Sequence, residues 1–450
     1  MEGVTLHPLK HITVPKGDIY HAMKSTDEGY CGFGEAYFSQ IEQGQAKGWK
    51  RHNRMTLNLI VPVGAVKFVV YDDRESSATK GSFEEIILSP EFNYQRLTVA
   101  PGLWMAFYGV GEGVSMLMDI IPEPHDPEEA SRVALSDIPY NFSSLSIIMK
   151  ILITGATGFI GQNLLPQLCS VCPDVEVLTL NRSVEKAELL FPQDRFTNFV
   201  HTSADNWDMV RAFNPNIVIH LAALSTADND IRIIDSLIAS NITYGVQLLS
   251  VLSNCPSLKL FVNTGSFAEY RLGVQQFDSA YLYSATKTAF RTFLNYYAGL
   301  YAFKYITAVP YTVYGGNPTV KRLMDYIIES LDAPAAIEMT GGEQILDFIH
   351  VDDISRFLIY VIQNHCSFCM LEKNGEDFHL GTGRGTTVRE VAKIIESVSK
   401  RRCNINWGAR AYRDRDTMYA VAPIAKNIEL IQWKAQIELK VGIERYLNKQ

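Results

Sequence analysis

In the stretch YLYSATK, Tyr283 and Lys287 stand four residues apart, so on a helix both side chains emerge on one face. A phenol with an ordinary pKa of about 10 gives up its proton poorly at neutral pH until a neighbouring ammonium favours its phenolate. Upstream, the strand-like run LKLFVNT leads into Gly265 and Ser266. This places the Thr264 and Ser266 hydroxyls at the carboxyl edge of a sheet, where open α/β sheets bind ligands. The set suits addition of a hydride to a ketone: Tyr283 protonates the developing alkoxide, Lys287 tunes the phenol and Ser266 orients the carbonyl. A second reactive set is consecutive, Lys50, Arg51 and His52 in GWKRHNR. In a strand alternate side chains share a face, so Lys50 and His52 point one way and Arg51 the other. His52 has the pKa range of a base at neutral pH. Its plainer reading is a strand histidine with only a hydrogen-bonding duty.

The elements that must position these residues differ along the chain. From Lys150 onward, short apolar strands (ILIT, VEVLTL, NIVIHLA, LKLFVNT, YITAVPY) alternate with stretches of helical period. That is the pattern of a parallel sheet with crossover helices. Residues 30–121 carry runs such as LNLIVPV, VKFVVYD, EEIILS and QRLTVAP, separated by Gly, Asp and Pro. They predict a mostly β domain of barrel or jelly-roll type. Segment 122–148, rich in Pro, Ser and acid, reads as a tail that closes this domain and leads out of it. Two domains are therefore expected, residues 1–148 and 149–450, with the boundary near 145–149.

At 450 residues the chain is too long for one core. Its 47% hydrophobic and 20% charged residues are ordinary for a globular protein. No run of about 18 apolar residues could span a bilayer, and MEGVTLHPLKH lacks the basic end and apolar stretch of a secretory signal. The expected place is the cytoplasm, with no membrane partner. A net charge of −8 without a Lys/Arg-rich block argues against a nucleic-acid partner. Seven cysteines read as thiols. The pairs Cys169/Cys172 and Cys366/Cys369 have zinc-ligand spacing, yet each lies near the end of an apolar helical run, where cysteine packs as a small hydrophobe.

GATGFIG follows a strand and opens a helix, with Gly155, Gly158 and Gly161. The first permits a tight turn, the second lets the backbone approach a pyrophosphate, and the third lets helix and strand pack closely. A nicotinamide dinucleotide is the expected cofactor. The next strand ends in Asn181, Arg182 and Ser183, with no carboxylate for a ribose 2′-hydroxyl. Arg182 suits a 2′-phosphate, which favours NADP(H) over NAD(H), unless it is merely a solvated surface residue.

Residues 150–448 resemble an extended short-chain dehydrogenase/reductase of the nucleotide-sugar epimerase/dehydratase/reductase group. The matches are TGATGFIG, VIHLAA, VNTGS, the Tyr283 and Lys287 pair, VYGG, DFIHVDDI and FHLGTGRGTTVREVA. The resemblance implies an α/β Rossmann fold with a small substrate-binding lobe. It also implies cofactor contacts from Thr157, Phe159, Ile160, Asp205, Leu221, Ala222, Ala223, Thr264 and Pro310, with Thr264 also facing substrate. Family members often carry Arg before VYG and DFIHVDD, whereas Val309 and Leu346 stand here. Lys321 or Arg322 is then the candidate for holding a substrate diphosphate.

Residues 5–140 resemble the cupins that epimerise sugar nucleotides at carbon 3, or at carbons 3 and 5. The matches are GFGEAYFSQIEQGQAKGWKRHNRMTLNLIVPVGAVKFVVYDDR, LSPEFNYQRLTVAPGLWMAFYGV and PEPHDPEE. This implies an all-β cupin jelly-roll barrel and a homodimer formed through it. A metal cupin needs two close His plus a later His and a carboxylate, but WKRHNR has only His52, and Met105 stands where a third ligand would be. No metal is expected. Proton abstraction at carbon 3, acidified by a carbonyl at carbon 4, needs only a base, an acid and a charge for the enolate. His52 is the candidate base, Lys50 occupies the position of a family histidine, Arg51 either grips phosphate or is solvated, and Asp137 in LSDIP is a candidate partner for the base. The family's catalytic tyrosine has no clear counterpart, since the comparable strand reads SMLMDII.

The two halves together predict a bifunctional enzyme of a nucleotide-linked 4-keto-6-deoxyhexose, serving deoxysugar synthesis for bacterial O-antigen. Met149, initiator-like at the head of MKILITGATGFIG, fits two formerly separate chains joined into one. Two alternatives stay open: one half is idle or only dimerises, or the protein is a non-enzymatic NADP(H)-responsive interaction protein.

Overall fold

The computed structural model describes residues 1–90, 93–111, 113–140, 142, 149–301, 303–316, 318 and 320–448. The chain divides into two compact units, Met1–Ile147 and Ile148–Gln450.

The first unit is built from β1 (Val4–Pro8), β2 (Glu35–Glu42), β3 (Ala46–His52), β4 (Leu57–Val63) and β5 (Val66–Tyr71), followed by β6 (Phe83–Leu88), β7 (Gln95–Val99), β8 (Trp104–Gly109), β9 (Val114–Ile121) and β10 (Ala130–Arg132). They form two five-stranded sheets, ordered β1-β7-β4-β9-β2 and β10-β3-β8-β5-β6. All neighbours within them are antiparallel. The period of two turns Leu57, Leu59 and Val61 of one sheet and Val66, Phe68 and Val70 of the other into a single apolar core. Each such side chain taken out of water contributes about 1.5–3 kcal/mol.

The second unit holds a seven-stranded parallel sheet. Its strands are β11 (Lys150–Thr154), β12 (Glu176–Asn181), β13 (Phe199–Ser203), β14 (Ile217–His220), β15 (Leu260–Thr264), β16 (Lys304–Pro310) and β17 (Glu376–Leu380). The order is β13-β12-β11-β14-β15-β16-β17, so the winding reverses between β11 and β14. Central strands are apolar on both faces because both are covered: Ile151 and Ile153 join one core, while Leu152 between them joins another. The first core packs α1 (Phe159–Val171) and α2 (Val351–Gln363) on one side of the sheet, and Cys169, Cys172 and Cys369 pack against it. The second takes α3 (Tyr244–Leu252) and α4 (Leu282–Tyr301) on the other. A separate cluster containing Tyr314, Met324, Ile327, Val388, Val391 and Ile443 gives a small lobe its own core. Val309 and Leu346 are buried in that cluster, so the positions lacking arginine are apolar packing sites.

Two candidate active sites

In the second unit, the carboxyl edge of the sheet at the reversal point carries the glycine turn. Gly155 has φ +73°, and a Cβ there would stand 2.6 Å from the Ala222 nitrogen; one at Gly161 would stand 2.3 Å from the Ala156 oxygen. Only glycine allows the turn and lets α1 pack this close. Gly158 caps α1 without a side-chain hydrogen bond, so the helix N-terminus is open to an anion. The Leu221 and Ala222 N–H groups donate to the Thr154 carbonyl (3.1 Å) and hydroxyl (3.2 Å), fixing the neighbouring loop. Thr157, Ile160, Ala223 and Pro310 are half-buried around this edge, and Phe159 is buried.

At the end of β12, Asn181 is buried, and its amide group donates to the Thr179 hydroxyl at 2.7 Å. Its Oδ1, like Thr264 Oγ1 at the end of β15, has no hydrogen-bond partner among the described residues. Buried polar atoms are rarely left so unless a ligand or water completes them. The glycine cradle, the open helix terminus and these two acceptors fit a dinucleotide. Arg182 and Ser183 are exposed. Ser183 Oγ accepts the Lys186 N–H at 3.1 Å, and exposed Asp205 is bonded to Ser203.

Tyr283 and Lys287 share one face of α4, in the helix that follows β15. Ser266 Oγ accepts the Ala268 N–H at 3.2 Å, and its backbone N–H donates to Glu269 at 2.8 Å. Burial, then the Glu269 charge, pushes the Tyr283 phenol up to about 12, against a Ser225 hydrogen bond and the charge of Arg322. Burial lowers Lys287 to about 8, with Glu269 opposing and Arg291 adding to the shift. Arg322 is a cation acting on the phenol from outside the helix that carries Tyr283 and Lys287. Its guanidinium lies 4.3 Å from the Phe159 ring centre, over the first turn of α1.

In the first unit, a cavity of about 600 Å³ opens between the two sheets. Lys50 and His52 line it from β3, while Tyr37 of β2 and Asp119 of β9 line it from the facing sheet. His52 Nδ1 lies 2.5 Å from Glu129 Oε2, and Glu129 Oε1 accepts the Arg54 and Met55 N–H groups at 2.9 and 3.0 Å. Burial opposes the Glu129 charge, but these partners hold its carboxyl below the usual range. An ionised carboxylate only accepts, so Nδ1 carries the proton and Nε2 is the basic nitrogen. Burial first, then Lys50, lowers the His52 pKa against the pull of Glu129, leaving a neutral imidazole at pH 7. On the facing sheet, Tyr37 donates to Asp119 Oδ2 at 3.0 Å. Burial raises Asp119 to about 7 although Tyr37, Lys50 and two backbone N–H groups act the other way.

Residues 151–376 match the model of the NAD dependent epimerase/dehydratase family. The chain belongs to that family. It is 24% identical over 314 residues to CDP-abequose synthase of Salmonella typhimurium, covering 66% of this chain and 97% of that protein. The UDP-glucuronic acid 4-epimerase of Bacillus cereus, solved with UDP-glucuronic acid and NAD, is 20% identical, covers 67% of this chain and 98% of that one, and superposes with a TM-score of 0.58. That likeness shows a shared fold. A dTDP sugar isomerase from Desulfovibrio desulfuricans G20 is 31% identical over 32% of this chain and 94% of its own, with a TM-score of 0.32.

Several residues expected at the sites of this family member stand elsewhere. Arg51 faces away from the cavity, with Asp73 at 3.4 Å and the Trp104 ring centre 4.5 Å away, because strand alternation carries it to the outer side of β3. Asp137 is exposed and accepts the Ala134 N–H at 3.0 Å, closing a turn; the carboxylate that pairs with His52 is Glu129. Lys321 is exposed and donates to Glu329 at 2.7 Å, which leaves half-buried Arg322 as the cation at the edge. Tyr37, Asp119 and Glu129 escaped the sequence reading, since residues far apart in the chain meet only across sheets. Asn241 also escaped it. It sits in a π-helical turn, Ala239–Thr243, where its Oδ1 accepts the Leu224 N–H at 2.7 Å and its amide donates to Thr286 Oγ1 at 2.9 Å. A polar residue inside an apolar helical run was the available signal.

Proposed function

We propose that the chain carries two activities on one nucleotide-linked 4-keto-6-deoxyhexose: epimerisation at carbon 3 in residues 1–148 and NADPH-dependent reduction of the 4-keto group in 149–450. The observation that carries the first is the cavity whose neutral imidazole and phenol come from opposite sheets. His52, held by Glu129, takes the carbon 3 proton from one face of the ring. Tyr37, backed by Asp119, returns one to the other face, and Lys50 meets the enolate charge. No metal is part of this proposal.

For the second, the chemistry supplied by bound NADPH is hydride donation. The Thr264 and Ser266 hydroxyls orient the carbonyl, and the Tyr283 hydroxyl delivers a proton to its oxygen, with the Lys287 ammonium on the same helix face favouring the phenolate left behind. Arg322 offsets negative charge developing there, and it is the cation we assign to a substrate diphosphate. Arg182, exposed where a ribose 2′-phosphate would reach, supports NADP(H) over NAD(H). The relationship to CDP-abequose synthase supports a CDP-linked substrate, with a dTDP-linked one as the alternative, and a place in bacterial O-antigen synthesis; the cupin resemblance of residues 5–140 implies a homodimer formed through the first unit. Epimerisation alone leaves a mixture, and reduction drains one isomer into a stable product.

Incubation with CDP- or dTDP-linked 4-keto-6-deoxyglucose in heavy water tests both halves. Deuterium at carbon 3 and consumption of NADPH are expected. Absence of the first removes the epimerase, and absence of the second removes the reductase.

A further inference from the structure

Beneath the Thr264–Ser266 turn lies a buried chain of charge that the reaction above does not use. Glu269 is fully buried. Its Oε1 accepts the Ser266 N–H at 2.8 Å and Arg291 Nη2 at 3.2 Å, and its Oε2 accepts Arg291 Nε at 2.8 Å and the Thr288 hydroxyl at 3.1 Å. Arg291 Nη1 continues to Asp377 at 2.6 Å, which also accepts the Tyr270 hydroxyl at 2.5 Å. The pair presses against the turn itself, since a Cβ at Gly265 would stand 2.7 Å from both Arg291 Nη2 and Glu269 Oε1. Removing one member of such a buried pair is costly, so an ion pair at this position is retained only where its surroundings satisfy it. Here they do, and one carboxylate bonds the backbone of the substrate-orienting serine.

We propose that Glu269 is a positioning residue of the reductase site, fixing Ser266 through its backbone and supplying the opposite charge that keeps buried Lys287 an ammonium. The inference rests on the reduction proposed above. Among the described residues, the charged and titratable groups that act on Lys287 or share its helix face are Glu269 from the turn, Tyr283 and Arg291 from its own helix, and His220 from β14. His220 is fully buried and lowered to about 3 by burial and then by Lys287, so it adds no charge. Of the other two charged groups, Arg291 opposes the ammonium and Glu269 favours it.

Glu269→Gln keeps a carbonyl oxygen for Ser266 but removes the charge, whereas Glu269→Asp keeps the charge. The Lys287 ε-carbon signal, assigned with Lys287→Arg in the full chain labelled with ¹³C-lysine, reports its titration without substrate. Its midpoint is expected to fall by about one pH unit or more in Glu269→Gln and to stay near the wild-type position in Glu269→Asp. The alkaline limb of kcat for ketone reduction should move down with it, with KM for the sugar changed less than twofold. Should Glu269→Gln not fold, Glu269→Gln combined with Arg291→Met removes both charges and is read in the same way. There Lys287 should titrate at the wild-type midpoint or below it, because loss of the Arg291 charge offsets part of the loss of Glu269. A Glu269→Gln midpoint that coincides with wild type overturns the inference, as does a double variant whose midpoint rises by more than half a unit, since that is what loss of Arg291 alone would do. If wild type reduces no ketone, the function reading fails, while the ¹³C titration still decides the role of Glu269.

Discussion

On the proposed reading the two sites face one chemical problem, moving a proton at an atom beside or within a carbonyl, and they are built in opposite ways. In the first unit, His52 and Tyr37 belong to different sheets and are brought to one cavity from either side. Each is tied to its own buried carboxylate, Glu129 or Asp119. In the second unit, Tyr283 and Lys287 lie one helical turn apart on a single element, and the environment arrives from elsewhere: Ser225 and Arg322 act on the phenol, Glu269 and Arg291 on the amine. A cavity between sheets can reach both faces of a sugar ring. One face of a helix can serve only one, which suits an oxygen that needs a single proton.

Crossed substitutions break the comparison most sharply. Tyr283→Phe should lower NADPH-dependent ketone reduction by about 10²–10⁴-fold while leaving deuterium uptake at carbon 3 intact. His52→Asn should do the reverse, with the isotope read by mass spectrometry and NADPH by absorbance. Loss of both activities in either variant would show that the units do not act separately.

Glu129→Gln has the next largest effect. With the charge gone, carbon 3 exchange should fall by about 10–100-fold, because Glu129 fixes the ring and the tautomer of His52. A pH profile sharpens this prediction. The base works when neutral, so exchange rises with pH through the His52 pKa, which lies below its ordinary value. Glu129 raises that pKa, so the midpoint of the variant should lie lower still.

Asp119→Asn is expected to slow exchange by about tenfold and to stabilise the fold in a pH-dependent way. The folded carboxyl titrates at about 7, above its unfolded value, so its favourable contribution is present at low pH and lost as pH rises through 7. Melting temperatures of variant and wild type should differ more at pH 8 than at pH 5. The smallest effect belongs to Arg182→Ala, which should shift the ratio of kcat/KM for NADPH over NADH toward NADH by about tenfold. An unchanged ratio removes the cofactor assignment.

Legibility in the sequence followed the range of the interactions. The glycine turn, the alternation of strand and helix, and the Tyr283 and Lys287 pair are local patterns, and family membership is carried by residues 151–376 that contain them. The alternation in GWKRH separated Arg51 from Lys50 and His52, although it could not say which face is the cavity. Asp137 is the partner for the base that the cupin resemblance implies, since a late Asp pairs with it in that family, whereas Glu129 lies on the short helical turn before β10, the neighbour of β3. Lys321 and Arg322 are adjacent and equally cationic, and only packing separates an exposed lysine paired with Glu329 from a half-buried arginine over Phe159.

The amino-acid order alone determined where glycine must stand in the turn after β11, which stretches become parallel strands, and that a phenol and an amine share a helix face. These follow from backbone sterics and from periods of two and 3.6 residues, which act over a few neighbours. The tertiary structure decided the protonation states and the partners, because burial and opposite charge come from residues as distant as Glu129 from His52 and Asp119 from Tyr37. Desolvation is a property of everything packed around a group, and no local stretch of sequence contains it.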